Sequence, residues 1–437
     1  MEPSPLTATV VVSGRVQGVG FRWWTRRRLE ELRLEGEATN LPDGTVQIHV
    51  RGAAADVDRL LTILRAGGTP GRVSDVRLLT ASRPDAAQQT RPDVPGEGPV
   101  VHDVVVVGGG PAGLSAALVL GRSRRDVVVV DDGRPRNAGA EHVHGYLGME
   151  GARPLDVLAR GREEVERYGV RVVTGTAAAV RPPATAAVTS DRAPEVARRG
   201  ASPGPLTVRL ADGTALLARR VLVTTGMRDE LPDVPGMAER WGRDVLHCPY
   251  CHGWEHRDER LLVLATHAGE VEKALTVRQW SPAVTLVLHR FTGAPVDRLT
   301  ARRLEASGVE VVEGTVDALL VRDDHLHGVR LADGRALACD AVVVQPRLVA
   351  RDDLLVAAGV RLEAGPFGEY VVTDDRGRTA VPGVWAAGNV TVPQAQVVTA
   401  AADGVRAAVA IDHELVLEDA DRTVAAADGS SPARAAR

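Results

Sequence analysis

VHDVVVVGGGPAG, residues 101–113, runs a string of valines into a glycine turn. A short apolar run bounded by a turn signal reads as a buried strand, and the LSAALVLGRS that follows has the apolar spacing of a helix. Gly108, Gly110 and Gly113 therefore fill a G-x-G-x-x-G between strand and helix. Glycine there gives the tight turn and lets the backbone approach a pyrophosphate, which then sits on the positive end of the helix. A second strand, DVVVVD, ends at Asp131, eighteen residues past Gly113, where a carboxylate accepts ribose hydroxyls. Strand, turn, helix, strand and acid together predict a Rossmann-like α/β domain that binds a dinucleotide.

The 437 residues around this stretch are enough for roughly two to four domains. With 44% hydrophobic and 25% charged residues the chain reads as globular protein. A net charge of −4 from interleaved acids and bases gives no reason to expect nucleic acid or a membrane surface as partner. Lysine occurs once, at Lys273, an arginine bias that reads as base composition and not as a binding signal. The start, MEPSPLTATVVVSG, lacks the basic and apolar regions of a signal peptide, and no apolar run approaches the ~18 residues of a membrane helix. These features predict a cytoplasmic, thiol-reducing setting.

Residues 1–82 form a unit of their own. TATVVVSGRV, GTVQIHVRG and VSDVRLLTA read as strands, RWWTRRRLEELRL and AADVDRLLTILRAG as helices, with room for one more strand. That order predicts a ferredoxin-like sandwich, so the fold class is α+β followed by α/β. Residues 83–100 are rich in proline and polar residues and predict a linker. Residues 181–205 predict a disordered insertion between strands, and 417–437 a solvated, disordered tail.

Two of the three cysteines lie in HCPYCH, residues 247–252. Cys248-Pro-Tyr-Cys251-His252 fits c-type haem attachment, half a zinc site, or a redox dithiol. The cytoplasmic setting disfavours haem. Zinc needs four ligands, which His247, His252 and His256 would have to complete, so no metal is expected. Pro249 suits the first position of a helix, and the helix dipole would favour a thiolate. Cys339, in ALACDAVVV, reads as an inert buried thiol.

TAVPGVWAAGNVTVPQAQVVTAAADG (379–404), together with VTTGMR (223–228), resembles the flavoprotein pyridine-nucleotide–disulfide oxidoreductases, in particular the thioredoxin reductase group. The likeness covers about residues 101–416. It implies an FAD domain over 101–230 and 347–416, interrupted by an NAD(P)-type domain over 231–346 that carries the CxxC. Gly388 and Asn389 would take the loop beside the flavin's ribityl and phosphate region, Asn389 replacing the usual aspartate. Gln396 and Val397 would open a helix aimed at the isoalloxazine ring. The resemblance makes the CxxC a redox disulfide, with Cys251 against the flavin and Cys248 meeting the substrate. His252 stands where thioredoxin reductases carry an acidic proton donor. CPYCH and the pair His142 and His144 are similar to a dithiol-oxidase branch that passes electrons to oxygen. Ala265, His267 and Glu270 replace the second glycine loop, where a histidine ring would block a pyrophosphate and a carboxylate would repel it. The 2′-phosphate cluster is reduced to His289 and Arg290, so NADPH use is doubtful.

GRVQGVGFR (14–22), followed by GEATNLPDGTVQIHVRG, resembles acylphosphatase over residues 7 to about 80. Gly18 and Gly20 allow successive N–H groups to form an anion-binding nest, and Arg22 opens the helix. The resemblance implies that Gln17, Gly18, Val19, Gly20 and Phe21 hold the phosphoryl oxygens through their backbone with Arg22, while Asn40 orients the attacking water. Glu37 stands where an aromatic is usual, a change that bears on packing. Trp23 and Trp24 read as flank and core.

The expectation is a bifunctional enzyme: an acylphosphatase fused to an FAD-dependent thiol/disulfide oxidoreductase, a dithiol oxidase not driven by NADPH. The alternatives are an NADPH-dependent thioredoxin reductase, or a flavin redox sensor with an anion-binding N-terminal module. The expected partners are a small acyl phosphate and a thiol substrate, either a small dithiol or a thioredoxin-like protein. The resemblance is compatible with a homodimer.

Overall fold

The computed structural model describes residues 6–41, 44–66, 69–82, 99–183, 204–365 and 368–429. The chain divides into two compact units, Met1–Pro99 and Val100–Arg437.

In the first unit, β1 (Leu6–Arg15), α1 (Phe21–Glu31), β2 (Glu35–Asn40), β3 (Val46–Gly52), α2 (Ala54–Ala66) and β4 (Arg72–Ser82) form a βαββαβ sandwich. The antiparallel sheet has the order β2-β3-β1-β4. Alternate residues of β1 and β3 (Ala8, Val10, Val12; Val46, Ile48, Val50) are buried beneath both helices. Phe21, Thr25 and Leu29, one turn apart, form the inner face of α1. β2 is the strand for which the sequence left room. It lies at the sheet edge with only Ala38 and Asn40 half-buried, so its pattern is too polar to announce a strand.

The second unit holds two nucleotide-binding-type layers. β5 (Val101–Val107), α3 (Pro111–Arg122) and β6 (Val127–Asp131) realise the predicted strand–turn–helix–strand. β5 pairs in parallel with β6 on one side and with Ala215–Val223 on the other. Both are buried on two faces, which explains the uninterrupted valines. An antiparallel ribbon, Met227–Glu230 with Arg347–Ala350, marks the passage into and out of the inserted layer. There a five-stranded parallel sheet runs Val245–Leu246, Ala341–Val343, Leu261–His267, Val284–Thr292, Glu310–Glu313.

One expectation is corrected. Residues 417–429 continue a helix that spans Val397–Gly429 and are not a disordered tail. The charges that read as solvation are paired. Arg125 binds Asp412 and Asp419, Arg219 binds Asp103, Glu418 and Asp419, and Arg220 binds Glu414 and Glu418. These arginines are largely buried, and Asp419 is held down to about 2: burial opposes its charge, but hydrogen bonds from Arg125 and Arg219 prevail. Residues 83–98, 184–203 and 430–437, which include most of the expected linker and insertion, lie outside the described residues. Among those described, no helix is long and apolar enough to cross a membrane.

Candidate active sites

In the first unit, the loop between β1 and α1 carries the acylphosphatase-like signature. Gly18 (φ 73°) and Gly20 (φ 82°) are left-handed, which glycine alone adopts readily, and a Cβ at either would meet nothing within 4 Å. The loop is thus both strained for other residues and open above. Gln17 stitches it to the neighbouring turn, its Nε2 donating to the carbonyls of Leu41 and Thr45, both at 2.8 Å. The Gln17 side chain therefore holds the cradle in shape. Phe21 is buried and offers only its backbone, Val19 is half-buried, and Arg22 is exposed at the helix start. Among the described residues Oδ1 of Asn40 is buried without a hydrogen-bond partner, an acceptor suited to a water or substrate proton donor. Trp24 stacks on Phe21 with centroids 5.8 Å apart, whereas Trp23 is solvent-exposed.

In the second unit, one cavity of about 1160 Å³ joins the glycine turn to the cysteines. Gly108 (φ 110°) has no room for a side chain, since a Cβ would lie 2.5 Å from the carbonyl oxygen of Thr224. A Cβ on Gly113 would lie 1.9 Å from the carbonyl oxygen of Gly108. Gly110 differs, facing open space, as the position beside a pyrophosphate must. Asp131 ends β6 in the cavity wall, its carboxylate accepting from Gly109 N (3.1 Å) and from Arg162 (2.7 Å).

On the far side, Gly388 (φ 82°) donates its N–H to the buried Asp403 carboxylate at 2.7 Å. Nδ2 of Asn389 donates to the carbonyls of Val392, Pro393 and Ala395 at 3.2, 3.1 and 2.9 Å. Only an amide makes these bonds, because a carboxylate has no proton to give. Val397 opens the long helix at the cavity, with Gln396 just before it. An open glycine, a ribose-type acid and a helix start around one cavity fit an FAD.

Cys248 caps the short helix Pro249–His252, which places Cys251 one turn on. Both are half-buried thiols at the cavity wall. Nε2 of Gln396 reaches both sulfurs, at 3.9 Å from Cys248 and 3.6 Å from Cys251. The sequence placed Gln396 at the helix start but gave it no part in the sulfur chemistry. The Cys251 thiol hydrogen-bonds Cys248 and pulls it down to about 6 against the effect of burial, with help from backbone N–H groups and Gln396. The same bond pushes Cys251 upward. The shared bond thus favours the thiolate on Cys248 over one on Cys251.

His252 is lowered by burial, only partly offset by the Cys248 backbone and Glu255, and its Nδ1 is buried with no partner among the described residues. It is held neutral, able to take a proton. His144 donates from Nδ1 to the Glu150 carboxylate (2.6 Å) and lies 3.5 Å from Glu255, three residues past His252; the His142 and His144 rings are 6.0 Å apart. His256 is engaged by Glu259 at 2.7 Å. Burial lowers His247 to about 4, and its Nε2 lies 3.2 Å from Oε1 of Gln345. Gln345 and Glu255 belong to no motif in the sequence, and Lys273 stood out only as the one lysine, so their places at the site come from the fold. Cys339 is buried, and burial pushes it up to about 12.

The second nucleotide loop is filled by its own side chains. Glu270 accepts from the Thr266 N–H (2.6 Å) and hydroxyl (3.0 Å), and the His267 ring accepts from Gly269 N–H at 3.2 Å. His267 also reaches the other Glu270 oxygen at 3.3 Å. Two backbone N–H groups of this loop, those of Thr266 and Gly269, are thereby taken by side chains of the loop itself. Nδ1 of His289 accepts from Val316 N (3.0 Å), a structural bond.

The family description "Pyridine nucleotide-disulphide oxidoreductase" matches residues 102–404, and "Acylphosphatase" matches residues 8–89. Thioredoxin reductase tcpT of Claviceps purpurea is 31% identical over 309 residues, 66% of this chain and 86% of that protein. An acylphosphatase of Mycobacterium sp. (strain KMS) is 59% identical over 68 residues, 16% of this chain and 72% of that protein. Among solved structures, that of HlmI is 47% identical with a TM-score of 0.67, covering 76% of this chain and 97% of that one. These likenesses and the two sites agree: the chain belongs to the pyridine nucleotide-disulphide oxidoreductases of thioredoxin reductase type, with an acylphosphatase domain fused to it.

Proposed function

We propose that the larger unit is an FAD-dependent dithiol oxidase that works without NADPH, and that the smaller one hydrolyses acyl phosphates. The observation that carries the first part is the second nucleotide loop, where Glu270 and His267 occupy the donors a nicotinamide cofactor's phosphates would use. Electrons must then enter from the thiol side.

Gly108, Gly110, Gly113 and Asp131 would hold the adenosine and pyrophosphate end of FAD, and Gly388, Asn389, Gln396 and Val397 the flavin end. When bound, FAD supplies the electron sink that returns the cysteine pair to its disulfide. A substrate thiolate attacks Sγ of Cys248, breaking the Cys248–Cys251 bond; Cys251 leaves as a thiolate and takes up one of the substrate's protons, in keeping with its raised affinity. The second substrate sulfur attacks the first, forming the substrate disulfide and releasing Cys248 as a thiolate. A sulfur lowered to about 6 is a good leaving group. Two protons leave the substrate; one stays on Cys251, and His252 takes the other on its unpartnered Nδ1.

In the smaller unit, the nest at Gln17–Phe21 and Arg22 would hold the phosphoryl oxygens and stabilise developing charge, while Asn40 orients the water through its free Oδ1. Acetyl or benzoyl phosphate tests this against Arg22→Ala: loss of hydrolysis in the variant is expected, and equal rates would sink it. For the larger unit, dithiol-dependent peroxide formation is expected in air. NADPH-dependent reduction of a thioredoxin would replace the proposal with the reductase activity.

A further inference from the structure

We propose that Lys273 is the built-in counter-charge of the Cys248 thiolate, a positioning residue that favours the dithiol form and so makes the Cys248–Cys251 disulfide a stronger electron acceptor. This rests on the redox reading of the cysteine pair and adds to it a residue that tunes its potential. Lys273 opens the helix Lys273–Val277 and lines the same cavity as Cys248. Its Nζ donates to Oε1 of Gln345 at 2.7 Å and to the carbonyl of Val344 at 3.3 Å. The same Gln345 oxygen faces Nε2 of His247, the residue before Cys248. Two fixed acceptors hold the ammonium in place and, among the described residues, leave its third N–H without a hydrogen bond.

Among the described residues no carboxylate lies within ion-pair distance of this ammonium. Glu270, from the preceding turn, acts on it at longer range and is itself bound by Thr266 and His267. Arg136 and Asp229, which line the same cavity, pair with each other. The remaining group that acts on Lys273 is Cys248, whose charge favours the ammonium; the attraction is mutual. A buried cation without an anion is unfavourable, and burial lowers Lys273 to about 8. The anion that the site's own chemistry creates is the Cys248 thiolate, present only after the disulfide opens.

The balance is simple. A substrate dithiol gives two electrons to the disulfide; its sulfurs join, Cys251 keeps one proton, Cys248 stays ionised, and one proton is released. Whatever stabilises that single thiolate raises the reduction potential of the pair. The chain places arginine at all but one of its basic positions and lysine here. A compact ammonium fits two carbonyls and a thiolate, where the five-donor arginine fork would leave buried donors unmatched.

The test uses full-length, flavin-loaded protein with Lys273→Met and Lys273→Arg. Iodoacetamide labelling of Cys248 across pH, read by peptide mass, gives its ionisation midpoint, and dithiothreitol redox buffers give the midpoint potential of the pair. In Lys273→Met the labelling midpoint is expected to rise by about one unit. The dithiol form should lose up to about tenfold against the disulfide, a fall of up to about 30 mV. Lys273→Arg should restore part of both shifts. If Met leaves midpoint and potential where they were, or if Arg behaves as Met while both keep flavin and fold, Lys273 is not the counter-charge. Should the wild type show no dithiol–disulfide couple at all, the redox reading fails. A rise of the Cys248 midpoint in Met would then still sustain the charge pairing, and an unchanged one would refute it.

Discussion

Asn389 shows how one atom decides a local structure. Its Nδ2 gathers three carbonyls of the loop before the long helix, a task for a donor. Asn389→Asp removes all three bonds and sets a carboxylate against three carbonyl oxygens, so flavin retention should fall by roughly tenfold, measured by fluorescence after dilution. Gln396 acts on the sulfurs in the same donor role. Gln396→Leu should move the Cys248 labelling midpoint upward from about 6 toward that of an ordinary thiol, by up to about one unit. In the wild type, labelling of Cys248 should rise through pH 6 and level off above it, since the reactive form is the thiolate.

At the scale of elements, the C-terminal helix is held by charge. Arg125, Arg219 and Arg220 lie largely buried against its carboxylates, so removing one partner leaves uncompensated charge. Arg219→Met should destabilise the larger unit by about 3 kcal/mol, seen as a lower unfolding temperature with flavin content as control. Asp419 is depressed to about 2, so its contribution is complete above the ordinary aspartate range and is lost as pH falls through 2. The elements differ in how plainly their residues announce them. β5, α3 and β6 were legible, because two-sided burial demands continuous valine and a phosphate turn demands glycine. β2 was not, since an edge strand buries little. The helix beyond residue 416 was misread because its partners, Arg125, Arg219 and Arg220, lie about two to three hundred residues away. The cysteine pair was legible from spacing, but Lys273 and Gln345 reach the site only through the fold of the inserted sheet.

For the whole molecule, two compact units carry two chemistries with no residue in common. Arg22→Ala should abolish acyl phosphate hydrolysis and leave thiol turnover unchanged, and Cys248→Ser should do the reverse; both rates on each purified variant check this. The central claim is that Cys248 and Cys251 pass electrons from a dithiol to a flavin in the cavity between them and the glycine turn. Anaerobic titration of the flavin absorbance tests it most directly. A small dithiol should bleach the wild-type flavin, NADPH should not, and air should restore the colour with release of peroxide; the Cys248→Ser protein should stay yellow throughout. Rapid bleaching by NADPH, or bleaching by the dithiol in Cys248→Ser, would contradict the account.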